Sequence, residues 1–260
     1  MPPLPTQLHR YRSLEGDGAE YLERTIRLGE VYFPKPTQFN DPFDCRPVHS
    51  MQAPKQSLKD FYSGVYARQA KGMNRSDRRA EIRDIGRNPT RDPTLRKNLE
   101  GFRRMYHSSV TDKIGILCLS EVPDDILMWA HYANSHAGVC LVFNTDSPYL
   151  SNAQPVIYTK KRPKINPVFV THEDMLDRAL LTKSDHWAYE REWRAFSYKD
   201  GFGVRHIPLE SLNGVILGAQ ISSSNKKKIK QWISSRLTPM SLFEAELSEE
   251  EFSISMVPAR

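Results

Sequence analysis

The stretch WAYEREWRAFSY at residues 187–198 places two glutamates two positions apart, between tryptophans. In a β-strand, Glu190, Glu192 and Arg194 share one face, because alternate side chains point the same way. Two carboxylates on such a face can have separated pKa values, so that one exchanges a proton while the other stays charged. In a helix, the same residues give only an ion pair between Glu190 and Arg194. The aromatic density favours the strand, and the helical alternative stays open.

Ser120 is a second candidate, at the end of the apolar run IGILCLS. Side chains at strand ends are exposed in a fixed geometry, so Ser120 could position a substrate hydroxyl or a ribose. The helical pattern that follows contains His131 and His136, whose spacing of five is not that of a helical zinc pair. We therefore expect both histidines to be hydrogen-bonded structural residues. Tyr132, between them, is typical of a core position.

The segment YFPKPTQFNDPFDC, at residues 32–45, is too apolar for an ordinary loop and too rich in proline for a strand or helix. Its Asn-Asp-Pro sequence sets a turn, because the proline keeps Asp41 out of the helical region and Asn40 can cap its own backbone. The segment is either a structural loop or the wall of a pocket. In the second case, Phe39 and Asp41 or Asp44 would line that pocket.

Several functional classes are disfavoured by what the sequence lacks. It contains no dinucleotide-binding glycine motif, P-loop, nucleophile elbow or kinase signature. Its cysteines, Cys45, Cys118 and Cys140, are far apart, which argues against a disulfide framework and a zinc site. No apolar signal core and no run of about 18 apolar residues appears. We therefore expect a cytoplasmic protein with no membrane segment.

The positive charge of the chain is concentrated in one segment. Residues 71–104 contain 11 Lys and Arg but only 5 Asp and Glu, and this difference equals the net charge of +6. Such a segment can bind nucleic acid through its phosphates. The alternative is a solvated helical face with internal ion pairs.

The order of elements predicts an α+β fold. The chain opens with a strand, a helix that stops at Gly29, and a second strand. Helices at 55–72 and 94–108 form a basic helical insertion at about 50–110. Later strands and helices alternate without a regular βαβ rhythm. We therefore expect a single domain over residues 1–260, with a mixed, mostly antiparallel central sheet flanked by helices.

The order of the motifs resembles a bacterial family known as domain of unknown function 2971. The resemblance covers nearly the whole chain outside the insertion, and it is carried by YRS, LGEVYF, FNDPFD, CLSE, LMWAHYANSHAGVCLVF and WAYEREWR. The family is often associated with mobile elements and phage defence. The resemblance therefore implies a role in phage defence or as a toxin.

A weaker resemblance is to ADP-ribosyltransferases, whose arginine, serine and glutamate occur in this order. It implies that Arg12 holds the phosphates or ribose of NAD, that Ser120 supports the nicotinamide ribose, and that Glu190 or Glu192 is catalytic. An aromatic side chain, Tyr32 or Phe39, would stack on nicotinamide. The further cofactor-binding candidates are Tyr11, Asn40, Asp41, His131 and Tyr132. The implied function is the NAD-dependent modification of a macromolecule.

Two alternatives stay open. In the first, the protein is a metal-dependent nuclease that uses Asp41, Asp44, Glu190 and Glu192 as oxygen ligands for Mg²⁺. In the second, it binds nucleic acid without catalysis, and its motifs are structural.

Overall fold

The computed structural model describes residues 2–69, 74–85 and 93–259. Within them the chain forms an α+β fold, in which helices flank a large, mostly antiparallel sheet. The predicted fold class is therefore confirmed. No helix in these ranges has the length and apolar character needed to cross a membrane. The described α-helices are α1 (Gly18–Leu28), α2 (Lys55–Gln69), α3 (Arg75–Ile85), α4 (Pro93–Tyr106), α5 (Ile126–Tyr132), α6 (His172–Leu180) and α7 (Ser223–Ser234).

The β-strands include long members of the main sheet and several pieces of two or three residues. The strands are β1 (Gln7–Arg12), β2 (Glu30–Phe33), β3 (Val48–His49), β4 (Gly115–Ser120), β5 (Val139–Asn144), β6 (Gln154–Pro155), β7 (Ile157–Thr159), β8 (Lys164–Ile165), β9 (Thr182–Ser184), β10 (Glu192–Ser197), β11 (Gly203–His206), β12 (Leu212–Leu217), β13 (Ser241–Leu247) and β14 (Ile254–Pro258). The main sheet has the order β14-β13-β12-β5-β1-β4-β10-β6. Its neighbours are antiparallel, except for the parallel pair β12 and β13.

Strand β1 lies in the middle of this sheet and is paired unequally with its two neighbours. It pairs with β5 along its whole length, but in the described chain its pairing with β4 is limited to His9 and Ser120. Further along β4, Ile116 N–H donates instead to the Pro34 carbonyl, at 2.8 Å, in the segment after β2. A cleft therefore opens within the sheet, between β1 and β4.

The two-residue period of β4 and β10 sorts their side chains between the two faces of the sheet. Leu119 and Trp193 belong to a large apolar core that also contains residues of α1 and α7. Their neighbours Ser120, Glu192 and Arg194 point to the opposite face, because successive side chains of a strand alternate. The polar residues of these strands are nevertheless buried. The face opposite the large core is therefore where a buried polar site can form.

Two helices predicted within residues 50–110 are present in the structure. The helices predicted at 55–72 and 94–108 correspond to α2 and α4. Residues 70–73 and 86–92 lie outside the described residues, and they include part of the basic segment 71–104. A small apolar cluster that includes Met51, Leu58 and Tyr62 packs within the described part.

Candidate functional site

The carboxylates of the candidate site lie at a turn that leads into a strand. Asp185–Glu190 forms a 3₁₀ helix, and β10 begins only at Glu192. Between them, Arg191 has a left-handed φ of 44°, which interrupts an extended chain. The predicted strand is therefore correct for Glu192 and Arg194 and wrong for residues 187–190. Glu190 is the last residue of the 3₁₀ helix, and its carboxylate nevertheless lies close to that of Glu192.

A buried lysine joins the two glutamates. Lys183, on β9, donates to Glu190 Oε2 and, at 3.0 Å, to Glu192 Oε2. The three side chains are at most 5% exposed. The ammonium group therefore lies between the two carboxylates, where it balances charges that could not be buried without a partner.

Arg194 and Asp44 extend this cluster. Arg194 is fully buried, and it donates from Nε to Glu192 Oε1 at 2.8 Å and from Nη2 to Asp44 Oδ2 at 2.6 Å. Asp44 belongs to the segment at residues 34–47 between β2 and β3, which we call the Asn-Asp-Pro loop. The ion pair therefore connects this loop to β10. The cluster contains three carboxylates and the two cations Lys183 and Arg194. It therefore carries one net negative charge when every group is ionised.

The pKa values of the two glutamates diverge. Burial opposes ionisation of Glu192, but the charges of Arg194 and Lys183 outweigh burial and lower its pKa to about 2. Burial raises the pKa of Glu190, and the attraction of Lys183 does not cancel this effect. Glu192 is thus a permanent negative charge, whereas Glu190 is the better proton acceptor. This is the separation that the Glu-x-Glu spacing predicts for two carboxylates in one site.

Tyr132 and Asn40 connect Glu190 to the other side of the site. Tyr132 is the last residue of α5, and its hydroxyl donates to Glu190 Oε1 at 2.7 Å. Asn40 Nδ2 donates in turn to the Tyr132 hydroxyl at 3.3 Å. Burial and the charge of Glu190 raise the pKa of Tyr132, so its hydroxyl keeps the proton that it donates. The Asn-Asp-Pro loop, α5 and the 3₁₀ turn are therefore joined by one chain of hydrogen bonds.

Ser120 supports the turn that carries Glu190. Its hydroxyl donates to the Glu190 carbonyl at 2.7 Å and accepts from Val122 N–H at 3.1 Å. The residue is 1% exposed. Its contacts are therefore those of a positioning residue for the main chain of Glu190.

The cluster forms one wall of a cavity of about 290 Å³, located where β1 and β4 separate. Residues of β1, β4, α5, β9 and the Asn-Asp-Pro loop line it together with the two glutamates. A larger cavity of about 820 Å³ adjoins it. The two cavities share the lining residues Arg10, Arg12, Gln38 and Tyr132.

Two arginines of β1 lie at the junction of these cavities. Arg10 contacts the carbonyl of Tyr32 at 3.3 Å, and neither Arg10 nor Arg12 has an ion-pair partner among the described residues. Burial lowers the pKa of both guanidinium groups, and the like charge of Arg12 lowers that of Arg10 further. Two uncompensated cations side by side are stabilised by an anion, and guanidinium groups match phosphate oxygens well.

The main chain of Tyr11 also faces the cleft. The Arg12 carbonyl points toward β5, because a Cβ added at Gly138 would lie 2.2 Å from its oxygen. Alternate residues of a strand direct their N–H and C=O groups to opposite neighbours, so those of Tyr11 point toward β4. Since β4 has already separated from β1 there, the Tyr11 amide and carbonyl have no strand partner within the described chain. They form a donor and acceptor pair at the edge of the smaller cavity.

The structure brings most of the predicted site residues together, although from separate elements. Those that line the smaller cavity are Tyr11, Arg12, Phe39, Asn40, Ser120, Tyr132, Glu190 and Glu192. Tyr32 and His131 line the adjoining cavity, and His131 Nδ1 lies 3.0 Å from the Tyr189 hydroxyl. Asp41 lines neither cavity; its Oδ1 accepts a hydrogen bond from Phe43 N–H at 2.8 Å and closes the turn.

Sequence reasoning missed Lys183 and Arg10. Lys183 stands alone in the stretch LLTKSDHW, and no spacing connects it to the glutamates that it binds. Arg10 had a usable signal, because it and Arg12 alternate in HRYR and so share a face of β1.

Comparison with protein families matches residues 128–195 to a family described as "Protein of unknown function", DUF2971. Neither a search of curated proteins nor a search of solved structures found a match. The resemblance to ADP-ribosyltransferases stays a prediction. The matched segment contains residues 128–132 of α5, the whole of β5 and the Glu-x-Glu stretch that ends in Arg194. Residues 128–195 are therefore similar to this family of unknown function, in agreement with the resemblance indicated by the motifs in that segment.

Proposed function

We propose that this protein is an NAD-dependent, ADP-ribosyltransferase-like enzyme that modifies a macromolecule. The observation that carries the proposal is the cavity at the separation of β1 and β4, which has arginines on one side and the Glu190 and Glu192 cluster on another. The phage-defence setting implied by the family resemblance stays a prediction.

The shape of the site suits a dinucleotide. Cavities of about 300–1,000 Å³ are typical of small-molecule sites, and here volumes of about 290 and 820 Å³ adjoin each other. Arg10 and Arg12 at their junction match a pyrophosphate. The amide and carbonyl of Tyr11, which lack a strand partner in the described chain, match the carbonyl and amino groups of a carboxamide. Nicotinamide would therefore occupy the smaller cavity and adenosine the larger one.

The charges of the site suit the loss of nicotinamide. Breaking the glycosidic bond leaves an oxocarbenium-like ribose, which is stabilised by a fixed negative charge. Glu192 stays ionised because its pKa is about 2, and the cluster as a whole has an excess of one negative charge. The positive charges that would oppose this step, those of Lys183 and Arg194, are each paired with carboxylates.

The two carboxylates then have different roles. The bond between ribose C1′ and the nicotinamide nitrogen breaks, and its electron pair leaves with nicotinamide. An oxygen or nitrogen of the acceptor forms the new bond to C1′, and its proton passes to Glu190 and then to solvent. The raised pKa of Glu190 suits this proton transfer.

The nuclease alternative is less well supported by the contacts. Its proposed Mg²⁺ ligands Asp44, Glu190 and Glu192 bind Lys183 or Arg194 instead, and the ammonium group lies between the two glutamates. The described residues contain no group of three or more His, Cys, Asp or Glu side chains arranged to hold a metal ion.

Release of nicotinamide from NAD, with water or a nucleic acid as acceptor, tests the proposal. The Glu190→Gln variant keeps a hydrogen-bonding group for Tyr132 but cannot take a proton. We expect its rate to fall at least about 100-fold, the usual contribution of a general base. Glu121→Gln is the matched control, because Glu121 pairs with Arg191 at 3.0 Å and does not line the smaller cavity.

Each contrary outcome has a distinct meaning. Full activity in Glu190→Gln would refute the assigned role of Glu190. Absence of NAD binding together with metal-dependent cleavage of RNA or DNA would replace the proposal with the nuclease alternative. Nucleic-acid binding with no reaction of either kind would favour the non-catalytic alternative.

A further inference from the structure

A third cavity, of about 390 Å³, shares the lining residue Asp44 with the smaller cavity of the candidate site. Its lining includes five basic or histidine side chains and comes from the Asn-Asp-Pro loop, β3, the end of α4 and the segment before β8. We call it the cationic pocket, defined by Arg46, His49, Arg103, His107 and Arg162.

The positive charge of the cationic pocket is not neutralised from within. Its one lining carboxylate, Asp44, is buried and bound to Arg194 at 2.6 Å. Arg162 donates to the carbonyl of Arg46, and its guanidinium lies 5.4 Å from the ring centre of Phe43. These contacts fix the position of Arg162 without compensating its charge. Arg46, Arg103 and Arg162 are exposed, so their guanidinium groups can reach a ligand from solvent.

His49 adds a neutral polar group to this pocket. Its ring packs edge-on against Phe102 and Tyr106, and its Nδ1 has no hydrogen-bond partner among the described residues. Burial, Arg103 and His107 lower the pKa of His49 to about 4. The ring is therefore neutral at pH 7, with one N–H group that can donate to an anionic oxygen.

Further exposed basic side chains adjoin the lining residues Arg162 and Arg103 and extend the charge beyond the cavity. Residues 160–164 have the sequence KKRPK, and each of its four basic residues is exposed. The pairing of β3 with β8 holds this run beside His49. The last turn of α4 contains Arg103 and Arg104, both exposed. One acidic residue, Glu100, lies on α4 among these groups.

This arrangement is longer than a single phosphate requires. A group of exposed Lys and Arg side chains in and around a cavity suits a repeating polyanion, which gains affinity by releasing its counterions. We propose that the cationic pocket and its flanking basic residues bind the phosphate backbone of a nucleic acid. Because Asp44 lines this pocket and the candidate site, such a strand would lie beside the reacting carboxylates. That the strand is the acceptor rests on the proposed function; the binding itself does not.

Fluorescence anisotropy with labelled 20-nucleotide RNA and DNA single strands, over a series of salt concentrations, tests this proposal. In the double variant Arg103→Glu/Arg162→Glu, the slope of log Kd against log salt should fall by about 1.4. This value follows from a slope of about 0.7 for each phosphate of a single strand that a basic side chain neutralises. The matched control is Lys227→Glu/Lys228→Glu, which makes the same charge change at exposed positions of α7.

If the pocket variant and the control variant weaken nucleic-acid binding equally, the proposal is overturned, because the weakening then follows from the net charge of the chain alone. Absence of binding by the unmodified chain at 50 mM salt, or a preference for a phosphorylated peptide, would also overturn it. If the double variant does not fold, the single variants Arg103→Gln and Lys161→Gln replace it, each with an expected fall of about 0.7. The binding assay contains no NAD, so it tests this proposal separately from the proposed function. If the chain releases nicotinamide from NAD but does not bind nucleic acid, this proposal is refuted and the proposed function is retained.

Discussion

Replacing Lys183 by methionine should destabilise the protein strongly at neutral and alkaline pH and much less in acid. Methionine fills a similar volume but removes the ammonium group that lies between Glu190 and Glu192. The variant thus isolates the charge of one residue that the sequence did not single out.

The magnitude follows from the remaining ion pairs. In the variant, Arg194 still pairs with Glu192 at 2.8 Å and with Asp44 at 2.6 Å, but it makes no ion pair with Glu190. Glu190, whose side chain is 4% exposed, would therefore be the one carboxylate left without a cation. Removing one partner of a buried pair costs about 3–5 kcal/mol. This is a large part of the about 5–15 kcal/mol by which ordinary domains are stable.

The pH dependence gives the sign of the effect. Without Lys183, the pKa of Glu190 in the folded state rises further above its unfolded value, because burial already raises it. At low pH, the carboxyl group of Glu190 is protonated in the folded variant, and its burial then carries no charge penalty. This contribution to the stability is lost as the pH rises through the folded-state pKa of Glu190. We therefore expect the difference from the unmodified chain to be largest at pH 8 and clearly smaller at pH 5.

Urea unfolding at the two pH values measures this difference. The matched control is Lys226→Met, because Lys226 pairs with Glu244 at 2.7 Å while about 30% of each side chain is exposed. Such a pair contributes at most about 1 kcal/mol. Combining Lys183→Met with Glu190→Gln should recover part of the stability, since the uncompensated charge is then absent. A destabilisation below about 1 kcal/mol, or one that does not change with pH, would refute the described role of Lys183.

Three further predictions concern positions around the site. Ser120→Ala should lower the free energy of unfolding by about 1–3 kcal/mol, because it leaves the buried Glu190 carbonyl without its donor; an unchanged urea midpoint would contradict this. Gly138→Ala should lower the melting temperature, because the added Cβ would lie 2.2 Å from the Arg12 carbonyl oxygen; a stability equal to the unmodified chain would show that the strands do not approach so closely. Cys45 and Cys140 should react slowly with a disulfide reagent in the folded chain at pH 7.5 and quickly after unfolding, since burial raises the pKa of both thiols, and rapid labelling of either residue in the folded state would contradict their burial.

Elements with strong local signals were predicted well. Helix α1 ends where the sequence predicts, because Gly29 takes the left-handed conformation, with a φ of 69°, that closes a helix. The apolar run IGILCLS likewise predicted β4, whose side chains are largely buried. The strand predicted from residue 187 onward was wrong for residues 187–190, which belong to a 3₁₀ helix. Arg191 is in a left-handed conformation that residue preferences do not indicate for arginine.

The site itself depends on contacts between distant parts of the chain. The Glu-x-Glu spacing indicated two carboxylates, but their pKa separation depends on Lys183 and Arg194 and on how deeply each group is buried. Arg194 meets Asp44 across 150 positions of sequence, which no local pattern can indicate. The separation of β1 from β4, which creates the cavity, likewise follows from strand pairing rather than from residue type.

A crystal structure of Glu190→Gln with NAD would show whether the dinucleotide occupies the two adjoining cavities, because this variant should bind NAD without breaking it. The nicotinamide carboxamide should lie beside the main chain of Tyr11, and the pyrophosphate should lie between Arg10 and Arg12. Its ribose C1′ would face residues 190 and 192. Full occupancy of NAD elsewhere on the protein, or an empty cavity at a saturating concentration of NAD, would contradict the account.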